Sequence, residues 1–298
     1  MVKRHRMNQN HDRPVFRFAP SPNGRLHLGH ALSALENERQ ARETGGRLLL
    51  RIEDIDRARC TPALEKGVIA DLRWLGISFD GPVFRQSEHF ADYQNMLQML
   101  IDRNLAYPAF MTRGEVRRLV SESEASGTIW PRDPDGAPLY PDRDRRRPLQ
   151  ERQDMLAAGM RHAFRLDMAA AVETLDAPLS WLEQTADGIV ETPADPAVWG
   201  DIVLSRSDAP SSYHLSVVTD DAAQGVTHVV RGMDLLQATA VHRLLQALLG
   251  LPAPIYRHHR LLLGTDGRKL SKSNGDTALC ELRANGVSPA DIRVMCGF

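Results

Sequence analysis

"SPNGRLHLGHALSALENERQ", residues 21–40, sets a proline- and glycine-rich turn directly against a helical pattern, with His27 and His30 at the junction. Upstream, Val15-Phe16-Arg17-Phe18-Ala19 reads as a short strand, stopped by Pro20-Ser21-Pro22-Asn23-Gly24. From Leu26 onward Leu28, Leu32 and Leu35 recur at helical spacing, until Gly45-Gly46 ends the run. Histidines at i and i+3 share a helix face and can chelate a metal. A metal site needs further ligands, however, and no nearby cysteine or acidic residue extends this pair in a recognised pattern. The alternative is a phosphate site. A helix that follows the first strand of an α/β sheet points its free N–H groups and positive dipole end at the ligand crevice. Imidazoles in its first turn can hydrogen-bond phosphate oxygens as charge develops, and Gly29 leaves room for a planar base.

Working outward, Arg47 to Glu53 (RLLLRIE) is a second strand. Residues 61–75 form a second helix, capped by Thr61 and started by Pro62, and residues 87–104 a third. Strand and helix in alternation predict an α/β fold, a Rossmann-like, doubly wound parallel sheet. Residues 126–152, rich in Pro, Asp and Arg, break the pattern as an irregular insertion. Its arginines either touch a phosphate backbone or form a solvated charged loop. Strands follow at 163–166, 201–205 and 227–231, then a helix at 234–249. The expected organisation is a polar tail (1–13), a first half of the sheet domain (14–105), an inserted subdomain (106–200) and a second half (201–298).

Composition sets wider limits. A formal net charge of −1 gives no global basic field, though a local basic face is compatible with it. The three cysteines, Cys60, Cys280 and Cys296, are far apart and odd in number, which predicts a reduced, cytoplasmic protein without a disulfide framework. No apolar stretch follows the basic N-terminus as a secretory signal would require, and none has the length of a membrane span.

A second motif stands near the other end. Gly264-Thr265-Asp266-Gly267-Arg268-Lys269-Leu270-Ser271-Lys272-Ser273 places two lysines in a small loop after Leu261-Leu262-Leu263. HLGH after the first strand and KLSKS after the last resemble the paired signatures of class I aminoacyl-tRNA synthetases. The resemblance implies that His27, Gly29 and His30, with Lys269 and Lys272, bind ATP, supplied as its Mg2+ complex. His27, His30, Lys269 and Lys272 would stabilise the transition state of adenylate formation.

Arg17-Phe18-Ala19-Pro20-Ser21-Pro22, Arg51-Ile52-Glu53-Asp54-Ile55-Asp56 with Arg59, Ser212-Tyr213-His214-Leu215 and Val229-Val230-Arg231-Gly232-Met233-Asp234 resemble, in order, the segments of the glutamyl- and glutaminyl-tRNA synthetase branch. The resemblance implies glutamate contacts from Arg17, Phe18, Ala19, Pro20, Ser21, Glu53, Tyr213 and Arg231. Arg17 and Arg231 offer planar forks for carboxylates, Glu53 a partner for the ammonium group, and Tyr213 a hydroxyl.

The chain departs from a full synthetase of that branch in two places. Residues 274–298 are too few for an anticodon-binding domain, so the chain is similar to a shortened relative. That implies tRNA-independent activation of glutamate and transfer to queuosine in the anticodon loop of tRNA(Asp), by a protein expected to be a monomer. A catalytic core charging a tRNA 3′ end, a non-catalytic tRNA-binding paralogue and a nucleotidyltransferase using another carboxylate are the alternatives. The second departure concerns zinc, which many members of the family hold in the insertion through C-x-C, a tyrosine and a further cysteine. Here those positions hold Ala109, Met111, Tyr140 and Asp144. No structural zinc is expected, and the insertion would be held by packing instead.

Overall fold

All four residues of β1 (Val15–Phe18) are buried, the pattern of a strand covered on both faces. It runs parallel to β2 (Arg47–Ile52), in register from Val15 opposite Arg47 to Phe18 opposite Leu50. β2 in turn pairs in parallel with β3 (Phe84–Arg85). The crossovers are helical: α1 (Leu28–Glu43) between β1 and β2, and α2 (Pro62–Trp74) between β2 and β3. Farther along the chain, β9 (His228–Gly232) and β10 (Ile255–His259) form another parallel pair. β9 starts beside β1, where the Thr227 amide donates to the Val15 carbonyl (3.0 Å) and the Val15 amide to Thr227 Oγ1 (2.8 Å). This is the α/β, Rossmann-like parallel arrangement that the alternation predicts. The computed structural model describes residues 13–264 and 277–298. The expected N-terminal tail up to residue 12, together with Lys269 and Lys272, lies outside the described residues.

Local chemistry sets the helix limits. α2 starts as read, with Thr61 Oγ1 accepting from the Leu64 amide at 3.3 Å and Pro62 at the first helical position. α1 starts two residues later than its leucine spacing suggests, because His27 is the cap. It ends at Thr44, followed by Gly45 at φ +62°. A Cβ on the next residue, Gly46, would lie 2.6 Å from the Pro14 carbonyl oxygen, so only glycine lets the chain enter β2 this close to β1.

The described residues fall into two compact units. The first lies within Met1–Arg85, Gly225–Met233 and Pro254–Phe298, the second within Gln86–Gln224 and Asp234–Ala253. In the first, Phe16, Phe18, Leu32, Leu35, Leu48, Leu50 and Leu72 form one core with Leu279 of α9 (Leu279–Ala284) and Ile292 of α10 (Pro289–Cys296). Glu38 of α1, buried among these helices, accepts from Arg42 (2.6 Å) and from Arg293 of α10 (3.1 Å).

The second unit contains an antiparallel sheet, in which β5 (Ala163–Leu166) pairs with both β4 (Ala106–Ala109) and β8 (Val203–Arg206). β6 (Ser180–Thr185) and β7 (Gly188–Pro193) form a hairpin. The helices are α3 (Phe90–Asp102), α4 (Arg113–Ala125), α5 (Leu149–Ala157), α6 (Met168–Glu173), α7 (Tyr213–Ala223) and α8 (Ala238–Leu249). This unit reaches beyond the 106–200 limits read for the insertion. The reason is a shared core: Leu100 of α3, Leu215 of α7 and Val241 of α8 cluster with Leu105, Leu166 and Leu204. No helix among the described residues is long and apolar enough to cross a membrane.

Candidate active site at the start of the first crossover helix

His27 has extended backbone angles (φ −126°, ψ 179°) and caps α1 with its ring rather than with the usual short polar side chain. Its Nδ1 accepts from the Gly29 amide at 3.1 Å, and its own amide donates to His30 Nδ1 at 3.2 Å. The two rings lie 3.9 Å apart, centroid to centroid, tilted by 52°. Both Nδ1 atoms are therefore acceptors from the backbone, so each neutral ring carries its proton on Nε2. The helix start thus satisfies two of its backbone amides with the rings.

Gly29 serves this geometry directly. A Cβ there would lie 2.9 Å from His27 Cε1 and 3.1 Å from its Nδ1. The glycine makes room for the capping ring, a nearer constraint than the planar base read from sequence.

After residue 276 the described chain resumes beside this helix start. Ala278 forms an antiparallel bridge with His27, and the Leu279 amide donates to the Leu26 carbonyl at 2.8 Å.

Arg17, Glu53 and Arg231 fall at the carboxyl ends of β1, β2 and β9, where open α/β sheets bind ligands. Arg17 and Arg231 are each 4% exposed. Arg231 Nε donates to His258 Nε2 at 3.2 Å, and its guanidinium lies 5.1 Å from the Tyr256 ring centroid. Glu53 follows β2, with its amide bonded to the Pro20 carbonyl at 3.0 Å and a carboxylate oxygen 3.7 Å from Arg51 Nε. Ser21 Oγ is 3.7 Å from Cys60 Sγ, on the same loop pair. Phe18 belongs to the hydrophobic core, so its side chain is structural. Ala19 and Pro20 continue the chain from β1 to Ser21. Tyr213 stands in the second unit, at the first turn of α7, with its ring 5.6 Å from those of His214 and His242.

Sequence reasoning missed three groups that hold these residues. Asn37, in the middle of α1, donates from Nδ2 to Ser33 O (2.9 Å) and to Val230 O in β9 (3.1 Å). Wholly buried Arg51 supports Glu53, and His258 holds Arg231. Asn37 interrupts an apolar helix face and Arg51 a run of apolar strand residues. Those interruptions were the available signals; nothing local in sequence links His258 to Arg231.

The positions compared with a zinc site converge in the second unit. Asp144, fully buried, accepts through Oδ2 from Tyr140 Oη (2.5 Å) and from the amides of Phe110 (2.7 Å) and Met111 (3.1 Å). Its Oδ1 accepts from Arg147 Nε at 2.8 Å. Burial raises the Asp144 pKa, but the bonds from Arg147, Tyr140 and the two amides outweigh it and hold the carboxyl below its ordinary value. Packing alone is thus not what fastens this segment, contrary to the reading from sequence.

Residues 15–296 match the family described as tRNA synthetases class I (E and Q), catalytic domain, and the chain belongs to that family. Among individual relatives, it is 46% identical to the glutamyl-Q tRNA(Asp) synthetase of Rhodobacter capsulatus, over 95% of this chain and 100% of that one. It is 39% identical to the protein of the same name from Symbiobacterium thermophilum, over 93% and 83% of the two chains. A crystal structure of a glutamate tRNA ligase from Elizabethkingia meningosepticum, in complex with its amino acid, superposes with a TM-score of 0.72 at 31% identity. The match covers 89% of this chain and about half (53%) of that one.

Proposed function

We propose that the chain activates glutamate with ATP, without tRNA, and transfers it to the queuosine base in the anticodon loop of tRNA(Asp). In the first step a glutamate carboxylate oxygen attacks the α-phosphorus of Mg-ATP. The bond to the β-phosphate oxygen breaks, and pyrophosphate leaves with the electron pair. In the second, a hydroxyl of queuosine's cyclopentene ring attacks the adenylate carbonyl, its proton is lost, and AMP leaves.

The observation that carries this reading is the paired cap of α1. Backbone amides hold His27 and His30 through Nδ1 at a helix N-terminus, leaving Nε2–H as the donor of each neutral ring, a donor type that stabilises charge developing on phosphate oxygens. Lys269 and Lys272, carried over from the family resemblance, would hold the departing pyrophosphate. Arg17 and Arg231 bind carboxylate, Glu53 the ammonium, and Ser21, Tyr213 and the backbone of residues 18–20 add polar contacts. Catalysis then consists of positioning and charge stabilisation, with no protein nucleophile. We place the protein in the cytoplasm, in keeping with three free cysteines, and expect a monomer.

The deciding experiment supplies labelled glutamate and ATP with tRNA(Asp) that contains or lacks queuosine. Label should enter only the queuosine-containing RNA. Equal labelling of both would instead favour aminoacylation of a 3′ end, and ATP–pyrophosphate exchange absent without tRNA would contradict independent activation.

A further inference from the structure

We propose that the buried Asp144 carboxylate replaces a metal ion as the clamp of the inserted segment, and that the basic run beginning at Arg143 is spent in part on that clamp rather than on RNA. The family resemblance implies zinc at positions 109, 111, 140 and 144. The donor set here does not fit it. Alanine offers no ligand, a methionine thioether is a poor ligand for zinc, and both oxygens of Asp144 already accept hydrogen bonds from protein groups.

The geometry keeps the function of the metal and inverts its polarity. A zinc ion ties two chain segments together by gathering electron-pair donors. Asp144 ties the same two segments by gathering hydrogen-bond donors: two amides from the strand end at residues 110–111, the Tyr140 hydroxyl, and Arg147 as counter-charge. A buried carboxylate requires such a partner, and charge-assisted bonds to it are the strong kind.

A second buried carboxylate extends the arrangement. Asp201 accepts from Tyr107 Oη (2.7 Å) and the Met168 amide (3.0 Å), with Arg145 3.5 Å away. Arg165 bridges the two groups, its guanidinium 3.9 Å over the Tyr140 ring and its Nη1 on the Asp201 carbonyl at 2.5 Å. Arg145 also meets Asp167 at 3.2 Å. Arg145 and Arg147 are therefore structural cations.

The test uses the full-length protein and three measurements: zinc content, thermal unfolding with and without EDTA, and the same two on variants. The purified protein should hold less than a tenth of an equivalent of zinc and unfold at one temperature with or without EDTA or added zinc. Asp144→Asn, which removes the charge and keeps the shape, should lower the midpoint by about 5 °C. The triple variant Ala109→Cys, Met111→Cys, Asp144→Cys, which retains Tyr140, should bind one zinc per chain and regain stability only when zinc is present. This last result remains readable even if Asp144→Asn does not fold. Stoichiometric zinc in the unaltered protein, a midpoint lowered by EDTA, or a triple variant indifferent to zinc would each overturn the proposal.

Discussion

Gly29 lies directly beneath the imidazole of His27: its amide donates to Nδ1 at 3.1 Å, and a side chain at residue 29 would meet the ring at 2.9 Å. Gly29→Ala therefore cannot keep both the helix and the ring where they are. The ring must rotate off its cap, which moves Nε2 and frees the tautomer. Adenylate formation should fall by about 100-fold, the cost of displacing a positioned group by about 1 Å. The readout is ATP–pyrophosphate exchange with glutamate, beside a circular dichroism spectrum showing that the fold persists. Exchange within threefold of the unaltered rate would remove His27 from the phosphate site.

Arg231 is held through Nε by His258 and lies across Tyr256. Lysine keeps the charge but has neither an Nε in that position nor a planar fork. Arg231→Lys should raise the KM for glutamate by about 10- to 100-fold, the loss of a hydrogen bond to a charged group, while the KM for ATP stays put. Equal changes in both constants would mean that Arg231 acts on the fold and not on the amino acid.

The Asn37 amide joins α1 to β9 through Val230 O. Asn37→Leu leaves that buried carbonyl without this donor, at a cost of about 1 to 3 kcal/mol, and should lower the unfolding midpoint correspondingly. An unchanged midpoint would show the bond to be dispensable.

His228 stacks on Phe16 at 4.9 Å, and burial lowers its pKa below the ordinary histidine value of about 6.5. In the window between the folded pKa and 6.5 the unfolded chain binds more protons, so stability rises with pH and is lost as pH falls through it. Replacing His228 with Gln should flatten the midpoint's dependence on pH below about 6.5, measured by unfolding at a series of pH values. For Asp144, with its lowered pKa, the contribution is complete above the ordinary carboxylate range and disappears only as acid drives it through the folded value. The Asp144→Asn variant should accordingly differ from the unaltered protein at neutral pH and converge with it in acid.

How much of this was legible depends on whether the controlling partners are near in sequence. β1, β2, α2 and the cap at Thr61 follow from local patterns nearly to the residue. α7 carries no helical signal in sequence. Its Ser216, Thr219, Asp220 and Asp221 are buried, which erases the apolar period. Asp220 is satisfied from afar, by Gln86 Nε2 at 2.6 Å and Tyr93 Oη at 2.8 Å. The β6–β7 hairpin escaped for the opposite reason: Leu182, Ile189 and Val190 are exposed, so its alternation marks no inner face. In the site, the residues at strand ends were legible, whereas the bonds that aim them, His258 to Arg231 and Asn37 to Val230, span distances no local pattern records.

The Asn37 bond also acts as a ruler. It fixes α1, whose first turn carries His27 and His30, against β9 one residue before Arg231. On the proposed reading, one end of that span meets the nucleotide and the other the amino acid. The spacing between the helix start and the strand that carries Arg231 is thereby set by a hydrogen bond inside the folded chain, before either substrate arrives.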